Sequence, residues 1–312
     1  MVSLHRFVFT LAGILAMTNL MAQMVPANPS SYIVYSPFLV NPAISGSKDF
    51  SNINLIARVN GTPGAQMATY NGRLPGKTVD GVKTHSGFGL GGFFYNDEFM
   101  LSRNLGFGVS GAYHISLDQK KLSNLAIGAA FRGHYNLVSD EGESTTGRSS
   151  GFTPNVDVGL YYYGPSAYAG ISSTNLLGTS DSTLAYGDEA YIPREYNFYG
   201  GYKFLLSRKN GIVLEPSLLI SLNDSTLSEI GQHITPYLKL YMQNFYFGTY
   251  VKDFDFNDLA FFFQYQFPWF YTGLLVEFPR EGFLTDDNIL LELCLGINLG
   301  LDKEAFRKSR HW

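Results

Sequence analysis

Apolar and polar residues alternate along much of the chain, as in the stretch NLGFGVSGAYHISL at residues 104–117. Leu105 and Phe107 fall on one side of a period-two pattern, and Ser110 and His114 fall on the other. This period predicts a β-strand with one apolar face. In a soluble sandwich that face packs into the core, whereas in a membrane barrel it meets lipid. The stretch alone leaves both possibilities open.

The same period predicts fourteen strands and no long amphipathic helix between them. After a predicted signal peptide, about 290 residues divide into units of roughly 20, enough for a tilted strand of about 10 residues and its connection. The predicted fold class is all-β, a transmembrane antiparallel up-and-down β-barrel of about 14 strands. The predicted strands are 51–59, 65–74, 86–94, 104–117, 122–135, 155–163, 167–176, 196–206, 212–221, 233–242, 245–251, 259–267, 271–278 and 289–301.

The connections between these strands alternate in length, as they do in outer-membrane barrels, which have short periplasmic turns and long outer loops. Two connections, 60–64 and 75–85, depart from this pattern. The predicted short turns are 118–121, 164–166, 207–211, 243–244 and 268–269. The predicted long loops are 96–103, 136–154, 177–195, 222–232, 252–258 and 279–288.

The first residues are typical of a secretory signal peptide. His5 and Arg6 precede the apolar run 7–21, and Ala22 offers a small residue for cleavage. A membrane anchor is the rival interpretation, but the run is shorter than the roughly 20 apolar residues of a spanning helix. The predicted parts are the signal peptide 1–22, a periplasmic segment 23–50, the barrel 51–301 and a polar tail 302–312.

Composition also favours a barrel over a soluble domain with a charged surface. Only 15% of the residues are charged, against roughly 25% in ordinary globular domains, and the chain has 21 Tyr, 25 Phe and 33 Gly. The net charge of −4 provides no basic field for nucleic acid, so that class of partner is excluded. The single cysteine, Cys294, excludes a disulfide framework.

The alternation places a balanced set of charges in the lumen. A selective ion pore is expected to carry an excess of one sign, so equal numbers of both signs favour ion pairs across a filled, plugged or narrow interior. The predicted lumen charges are Arg58, Arg132, Lys203 and Lys239 with Asp157, Glu215, Glu277 and Glu292. Inward-facing tyrosines are expected at Tyr161, Tyr163, Tyr199, Tyr237, Tyr241 and Tyr250.

Several segments resemble catalytic or ligand-binding motifs but lack their context. The glycines of GFGLGG at 87–92 alternate inside a strand with no following helix, so they are expected to face a crowded lumen or a neighbouring strand and not a nucleotide. The acidic segment 253–258 begins like a calcium loop but lacks its glycine and glutamate, so it is interpreted as a solvated acidic loop, with weak calcium binding as the alternative. His114 and His134 are expected to face each other across a strand pair, and Ser110 with His134 is the one conceivable hydrolase pair. We expect no catalytic residue, cofactor or metal site, and therefore no enzyme.

A family resemblance rests on SYIVYSPFLVNPAISGS, with its Asn41, Pro42, Ala43 and Gly46. These residues resemble the motif of the PorP/SprF family of type IX secretion system membrane proteins. The likeness continues through Arg58 and two segments, GFGLGGFFYNDEF and VGLYYYGPSAYAGISSTNLL, and spans about residues 30 to 300. The stretch VNGTPGAQ after Arg58 and the polar tail depart from the family pattern. Pro42 restricts Asn41 to extended or turn backbone, so this segment is expected to pack at the periplasmic mouth.

The resemblance implies an outer-membrane component of type IX secretion and gliding in a Gram-negative bacterium. Its implied partners are outer-membrane lipid, a secreted cargo or surface adhesin, and periplasmic secretion-system proteins. The loops 136–154 and 177–195 are the expected outer contact surfaces, and 75–85 with the tail are the inner ones. A channel or transporter for a small solute is the alternative function.

Overall fold

A computed structural model describes most of the chain. The predicted signal peptide and the polar tail both lie outside the described residues, so these boundaries stay predictions. The described residues are 29–48, 50–59, 65–79, 82–99, 102–118, 122–139, 148–178, 180–181, 190–191, 193–224, 226–227, 230–252, 259–267, 269–278 and 289–300.

Nearly all regular structure is β-strand. One short helix, α1 (Pro29–Tyr35), and 3-10 turns at Pro37–Leu39 and Pro42–Ile44 precede the first strand. Among the described residues, every helix is too short to cross a membrane. The strands are β1 (Ser51–Val59), β2 (Gln66–Val79), β3 (Val82–Phe99), β4 (Ser102–Asp118), β5 (Ser123–Ser139), β6 (Arg148–Tyr163), β7 (Ala167–Thr174), β8 (Ser180–Asp181), β9 (Ala190–Tyr191), β10 (Glu195–Tyr202), β11 (Phe204–Ser207), β12 (Ile212–Asn223), β13 (Ile234–Met242), β14 (Phe245–Val251), β15 (Leu259–Gln266), β16 (Phe270–Phe278) and β17 (Leu290–Leu299).

The sheet closes on itself as an antiparallel barrel. Neighbours in sequence pair along the wall, and β1 pairs with the last strand, β17. The predicted strand 196–206 is broken at Lys203 into β10 and β11, which both pair with β12 and so share one position in the wall. The small hairpin β8–β9 stands apart from the wall. The wall therefore has fourteen strand positions, which confirms the predicted barrel.

Burial alternates along the strands with the period read from the sequence. On β4, Val109 is 62% exposed while the next residue, Ser110, is 4% exposed. On the neighbouring β5, Phe131 is exposed and Ala130 is buried. Such a surface, apolar outside and small or polar inside, suits a wall that lies between lipid and a filled lumen.

Three predicted loops are wholly or partly hairpin extensions, including 136–154, where β5 runs to Ser139 and β6 starts at Arg148. The expected loop 75–85 is wrong, because β2 continues to Val79 and β3 begins at Val82. The expected loop 96–103 is also wrong, because β3 runs to Phe99 and β4 starts at Ser102. Polar residues and glycines fill most of 75–85, and the apolar residues of 96–103 are consecutive at 99–101, so neither segment shows apolar alternation. Their backbones still pair in the antiparallel ladder. Backbone pairing does not depend on side-chain hydrophobicity, so a hydrophobic pattern does not predict it.

The segment that precedes β1 lies inside the barrel and not at its mouth as predicted. We call residues 29–48 the lumen plug. Its side chains from Phe38 to Ile44 are almost completely buried, and their contacts reach residues in the middle of the wall strands. Gly46, near the end of the plug, has a φ of +71°, a conformation that favours glycine, and it turns the chain before β1. Apolar side chains of the plug gain burial there that a position at the mouth would not provide.

Candidate functional site

Asn41 links the plug to the barrel wall. Its side-chain oxygen accepts a hydrogen bond from the backbone N–H of Ala43 at 3.0 Å, which caps the 3-10 turn. Its side-chain amide donates to the carbonyl of Leu160 on β6 at 2.9 Å. Pro42 occupies the first position of the turn, where its fixed φ and missing N–H are tolerated. The Asn-Pro-Ala motif thus shapes the plug and attaches it to the wall.

Glycines in the wall allow the plug to approach its backbone. A Cβ at Gly128 would lie 2.4 Å from the backbone nitrogen of Ala43, and one at Gly159 would lie 2.1 Å from the side-chain oxygen of Asn41. Such distances are far below van der Waals contact. Any side chain at either position would therefore push against the family motif.

The end of the plug is bound by polar side chains of β2 and β4. The hydroxyls of Ser45 and Ser110 are 2.6 Å apart, and Nε2 of His114 donates to the Ser45 carbonyl at 2.8 Å. The backbone N–H of Gly46 donates to Asn71 at 2.6 Å, and Nε of Arg73 donates to the Gly46 carbonyl at 2.8 Å. Both backbone groups of Gly46 are therefore satisfied by β2.

The first buried charge cluster lies where the barrel closes. Arg58 on β1 stands directly opposite Glu292 on β17, and its Nε donates to the carboxylate at 2.7 Å. The same guanidinium donates to the hydroxyl of Ser31 in α1 at 3.0 Å. Arg58 therefore joins the first strand, the last strand and the plug.

A second cluster holds the middle of the plug. Arg132 on β5 forms an ion pair with Asp157 on β6 and donates to the carbonyl of Leu39. Its guanidinium also lies 5.3 Å from the centre of the Phe93 ring. Asp157 accepts a second hydrogen bond from the backbone N–H of Asn175 at 3.0 Å. The carboxylate is thus satisfied although it is fully buried.

The third cluster lies where β12 pairs with β13. Lys239 on β13 pairs with Glu215 on β12 at 3.2 Å, and these residues face each other in the strand register. Tyr168 and Tyr241 both donate to the same carboxylate, at 2.5 and 3.0 Å. Lys239 also donates to Tyr199 at 3.0 Å.

The remaining two predicted lumen charges have separate surroundings. Glu277 accepts a hydrogen bond from Tyr250 at 2.9 Å. Lys203 lies at the break between β10 and β11 and lines a cavity below the plug. Six of the eight charges predicted for the lumen are buried, all except Arg132 and Lys203, which are partly exposed. Three oppositely charged pairs account for six of the eight.

The histidine and serine candidates are not brought together for chemistry. His114 lies opposite Ala126 and His134 lies opposite Gly106, so the expected His114–His134 contact is wrong. Ser110 bonds to the plug, and Nδ1 of His134 bonds to the hydroxyl of Tyr95 at 2.7 Å. In the described part of the chain, His, Cys, Asp and Glu side chains form no group of three that would hold a metal ion. The acidic segment 253–258 lies outside the described residues.

Sequence reasoning missed the plug's path through the lumen. The available signal was the run of small residues on inward positions of the wall, such as Gly89 and Gly91, where an added Cβ would lie 2.0 and 2.8 Å from atoms of Ser45. The family motif marked the segment but not its destination, because its partners on β6 are 119 residues away.

The protein is a closed, plugged β-barrel with an apolar outer surface. These features are typical of the class of outer-membrane β-barrel proteins. Residues 22–297 match the sequence profile of type IX secretion system membrane protein PorP/SprF. The chain belongs to this family, and it is a type IX secretion component of the Gram-negative outer membrane. That place in the cell implies membrane lipid and secretion-system proteins as its surroundings.

Solved structures resemble the fold at low sequence identity. The toluene transporter TodX of P. putida aligns over 83% of this chain and 90% of its own, with 10% identity and a TM-score of 0.41. The monoaromatic hydrocarbon channel CymD aligns over 84% and 91%, with 12% identity and a TM-score of 0.40. The KdgM porin aligns over 80% and 99%, with 9% identity and a TM-score of 0.37. No curated protein matches the sequence.

Proposed function

We propose that this barrel is a docking component of type IX secretion that binds a secreted cargo or adhesin on one rim and periplasmic secretion proteins on the other. The observation that carries the proposal is the plug. From Tyr35 to Gly46, its backbone forms hydrogen bonds with side chains of β1, β2, β4, β5 and β7, and the Asn41 side chain donates to the backbone of β6. A lumen filled in this way favours partner binding at the two rims over transport of a solute through the barrel.

The two rims differ, which suits two kinds of partner. At one end the strands are joined by short turns, such as the one between Ser207 and Ile212. At the other end β5 and β6 extend to Ser139 and Arg148, and the connection between β7 and β10 carries the hairpin β8–β9. We assign cargo or adhesin binding to these extended segments, within the predicted loops 136–154 and 177–195. In this proposal the barrel binds and does not catalyse.

Purification from native outer membranes in a gentle detergent, followed by mass spectrometry, tests this proposal. Two variants separate the rims: deletion of residues 140–147, and Arg208→Gln with Lys209→Gln in the turn after β11. The deletion is expected to lose a secreted protein and keep the periplasmic proteins, and the turn variant is expected to do the reverse. A wild-type barrel that purifies alone would contradict the proposal.

A small-solute channel is the competing function. It predicts that the purified wild-type barrel passes solutes across liposome membranes. The docking proposal predicts little flux through the wild type, because the described lumen is occupied by the plug. Rapid wild-type flux would transfer support to the channel.

A further inference from the structure

The plug runs through the lumen from one end of the barrel to the other. We call the end with the long connections the outer end and the end with the short turns the inner end. The hydroxyl of Ser31 accepts a hydrogen bond from Arg58, the last residue but one of β1, which is an outer-end position. Arg73 donates to the Gly46 carbonyl and to the hydroxyl of Tyr163, the last residue of β6, which is an inner-end position. The plug therefore starts at the outer end and finishes at the inner end.

The short helix α1 has its first turn nearest the outer end. Ser31, near its start, bonds to Arg58, whereas the carbonyl of Tyr35, its last residue, accepts a hydrogen bond from Asn54. Asn54 lies four residues closer to the inner end of β1 than Arg58. The helix thus descends into the lumen, and its first residue, Pro29, is directed at the outer opening.

A small cavity beside α1 agrees with this height. Its volume is about 30 Å³, and Ser31 and Tyr32 line it on the side of the plug. On the side of the wall it is lined by Gln66, the first residue of β2, and by Asp97, two residues before the end of β3. Both wall positions are at the outer ends of their strands, so the chain enters the described structure at the outer end.

A return of the preceding chain to the inner end is opposed by its length and by packing. After cleavage at the predicted site, the six residues 23–28 remain before Pro29, and six residues reach at most about 20 Å. The wall from Arg58 to Ser51 is about 23 Å of strand, or about 18 Å along the axis of a barrel with the usual tilt. A return would need an almost fully extended chain in a lumen that the buried plug residues Phe38 and Ile44 already fill.

Charge favours the outer end for a positive chain terminus. The α-amino group made by signal cleavage is positively charged at neutral pH. Basic residues outnumber acidic ones in the inner turns 118–121 and 207–211, so that end repels it. Acidic residues outnumber basic ones in each of the long connections, 96–103, 136–154, 177–195, 222–232, 252–258 and 279–288. The outer rim therefore attracts the terminus.

We propose that the chain preceding Pro29 leaves the barrel at its outer end, so that the mature N-terminus belongs to the cell-surface face. Ser51 of β1 pairs with Leu299 of β17 at the inner end, where both termini of a barrel without this plug would lie. The plug instead carries the N-terminus through the lumen to the opposite side. Residues 23–28 are then at the cell surface and not in the periplasm, as the sequence predicted. This inference stands independently of the docking function.

Single cysteines in a Cys294→Ala background test the exit. Asn28→Cys lies just before the plug, Lys252→Cys after β14 marks the outer end, and Lys209→Cys between β11 and β12 marks the inner end. A membrane-impermeant maleimide is applied to intact cells, and the labelled fraction is measured against denatured protein. Asn28→Cys is expected to be labelled to the same extent as Lys252→Cys and severalfold more than Lys209→Cys.

Three results of this labelling would overturn the inference. Asn28→Cys that follows Lys209→Cys would place the exit at the inner end. Asn28→Cys that reacts only after denaturation would mean that the chain folds back into the barrel. Protection of both Asn28→Cys and Lys252→Cys in intact cells, lost on permeabilisation, would place the outer end in the periplasm.

A linear epitope provides a second readout on the full chain. One variant carries it between Asn28 and Pro29, and the matched control carries the same epitope after Leu301, beyond the inner end of β17. Antibody added to intact cells is expected to bind the first variant and not the control. Heat-dependent gel mobility checks that both barrels are folded. Failure to bind the first variant in a folded barrel, or equal binding to both variants, would overturn the inference.

Discussion

Arg58 and Glu292 are 234 positions apart in the chain, yet they stand opposite each other on the first and last strands and share a 2.7 Å hydrogen bond. Both are buried within the barrel. The barrel closes only when β1, near the start of the chain, pairs with β17, near its end. The ion pair marks the correct register of the seam, since a slip of one residue would turn either charge toward lipid.

Glu292→Gln is expected to destabilise the barrel by about 3–5 kcal/mol, because it leaves the Arg58 guanidinium buried without a counter-charge. Replacement of both residues by apolar ones, Arg58→Met with Glu292→Leu, should recover much of the lost free energy of unfolding, because neither charge then remains buried. The measurement is urea unfolding of the refolded barrel in micelles, with Arg208→Gln in an exposed turn as the control. A double variant as unstable as Glu292→Gln would show that the pair is not the source of the effect.

Gly159→Val is expected to displace the plug, because a Cβ there would lie 2.1 Å from the side-chain oxygen of Asn41. Liposome flux of a small solute should then exceed the wild-type rate severalfold. Gly111→Val on the outer face of β4 is the matched control, since a Cβ at Gly111 meets no atom within 4 Å. Equal flux in the two variants would mean that the close approach of Asn41 to the wall does not keep the barrel closed.

The fold was predictable because lipid imposes a simple rule on a strand. On β4, Phe107 points outward and Ser110 points inward, and on β5, Ile127 points outward and Ala126 points inward. This alternation is repeated along the wall, and it determines the strand count and faces. Strand length was less predictable, because β6 starts at Arg148 and not at residue 155. Polar residues beyond the apolar band continue the ladder without a hydrophobic signal.

The candidate site was predictable only as a set of charges. Period-two counting assigns Glu215 and Lys239 to the lumen, but it does not state that they face each other, which depends on the register of β12 with β13. The path of the plug had no periodic signal at all. Its position depends on long-range contacts such as the one between Ser172 and the carbonyl of Val40, which only the closed barrel creates.

A disulfide is expected to lock the plug in the double variant Ser45→Cys with Ser110→Cys, made in a Cys294→Ala background. The two hydroxyls are 2.6 Å apart in the buried interior, so thiols in their place would lie close enough to pair after small adjustments. A maleimide mass tag on the denatured protein, applied with and without reductant, measures the pairing. The control is Ser45→Cys with Ser217→Cys, since Ser217 lies on β12 in the other half of the wall. Equal labelling of both variants would contradict the plug position.

The orientation of the barrel is tested by single cysteines at its two ends, in the same Cys294→Ala background. Lys252 follows β14 at the end with the extended segments, and Lys209 lies in the turn between β11 and β12. Because outer-membrane barrels keep their short turns in the periplasm, a membrane-impermeant maleimide should label Lys252→Cys in intact cells and spare Lys209→Cys. Permeabilised cells should label both, which controls for accessibility. Labelling of Lys209→Cys alone in intact cells would invert the barrel and exchange the partners assigned to its two rims.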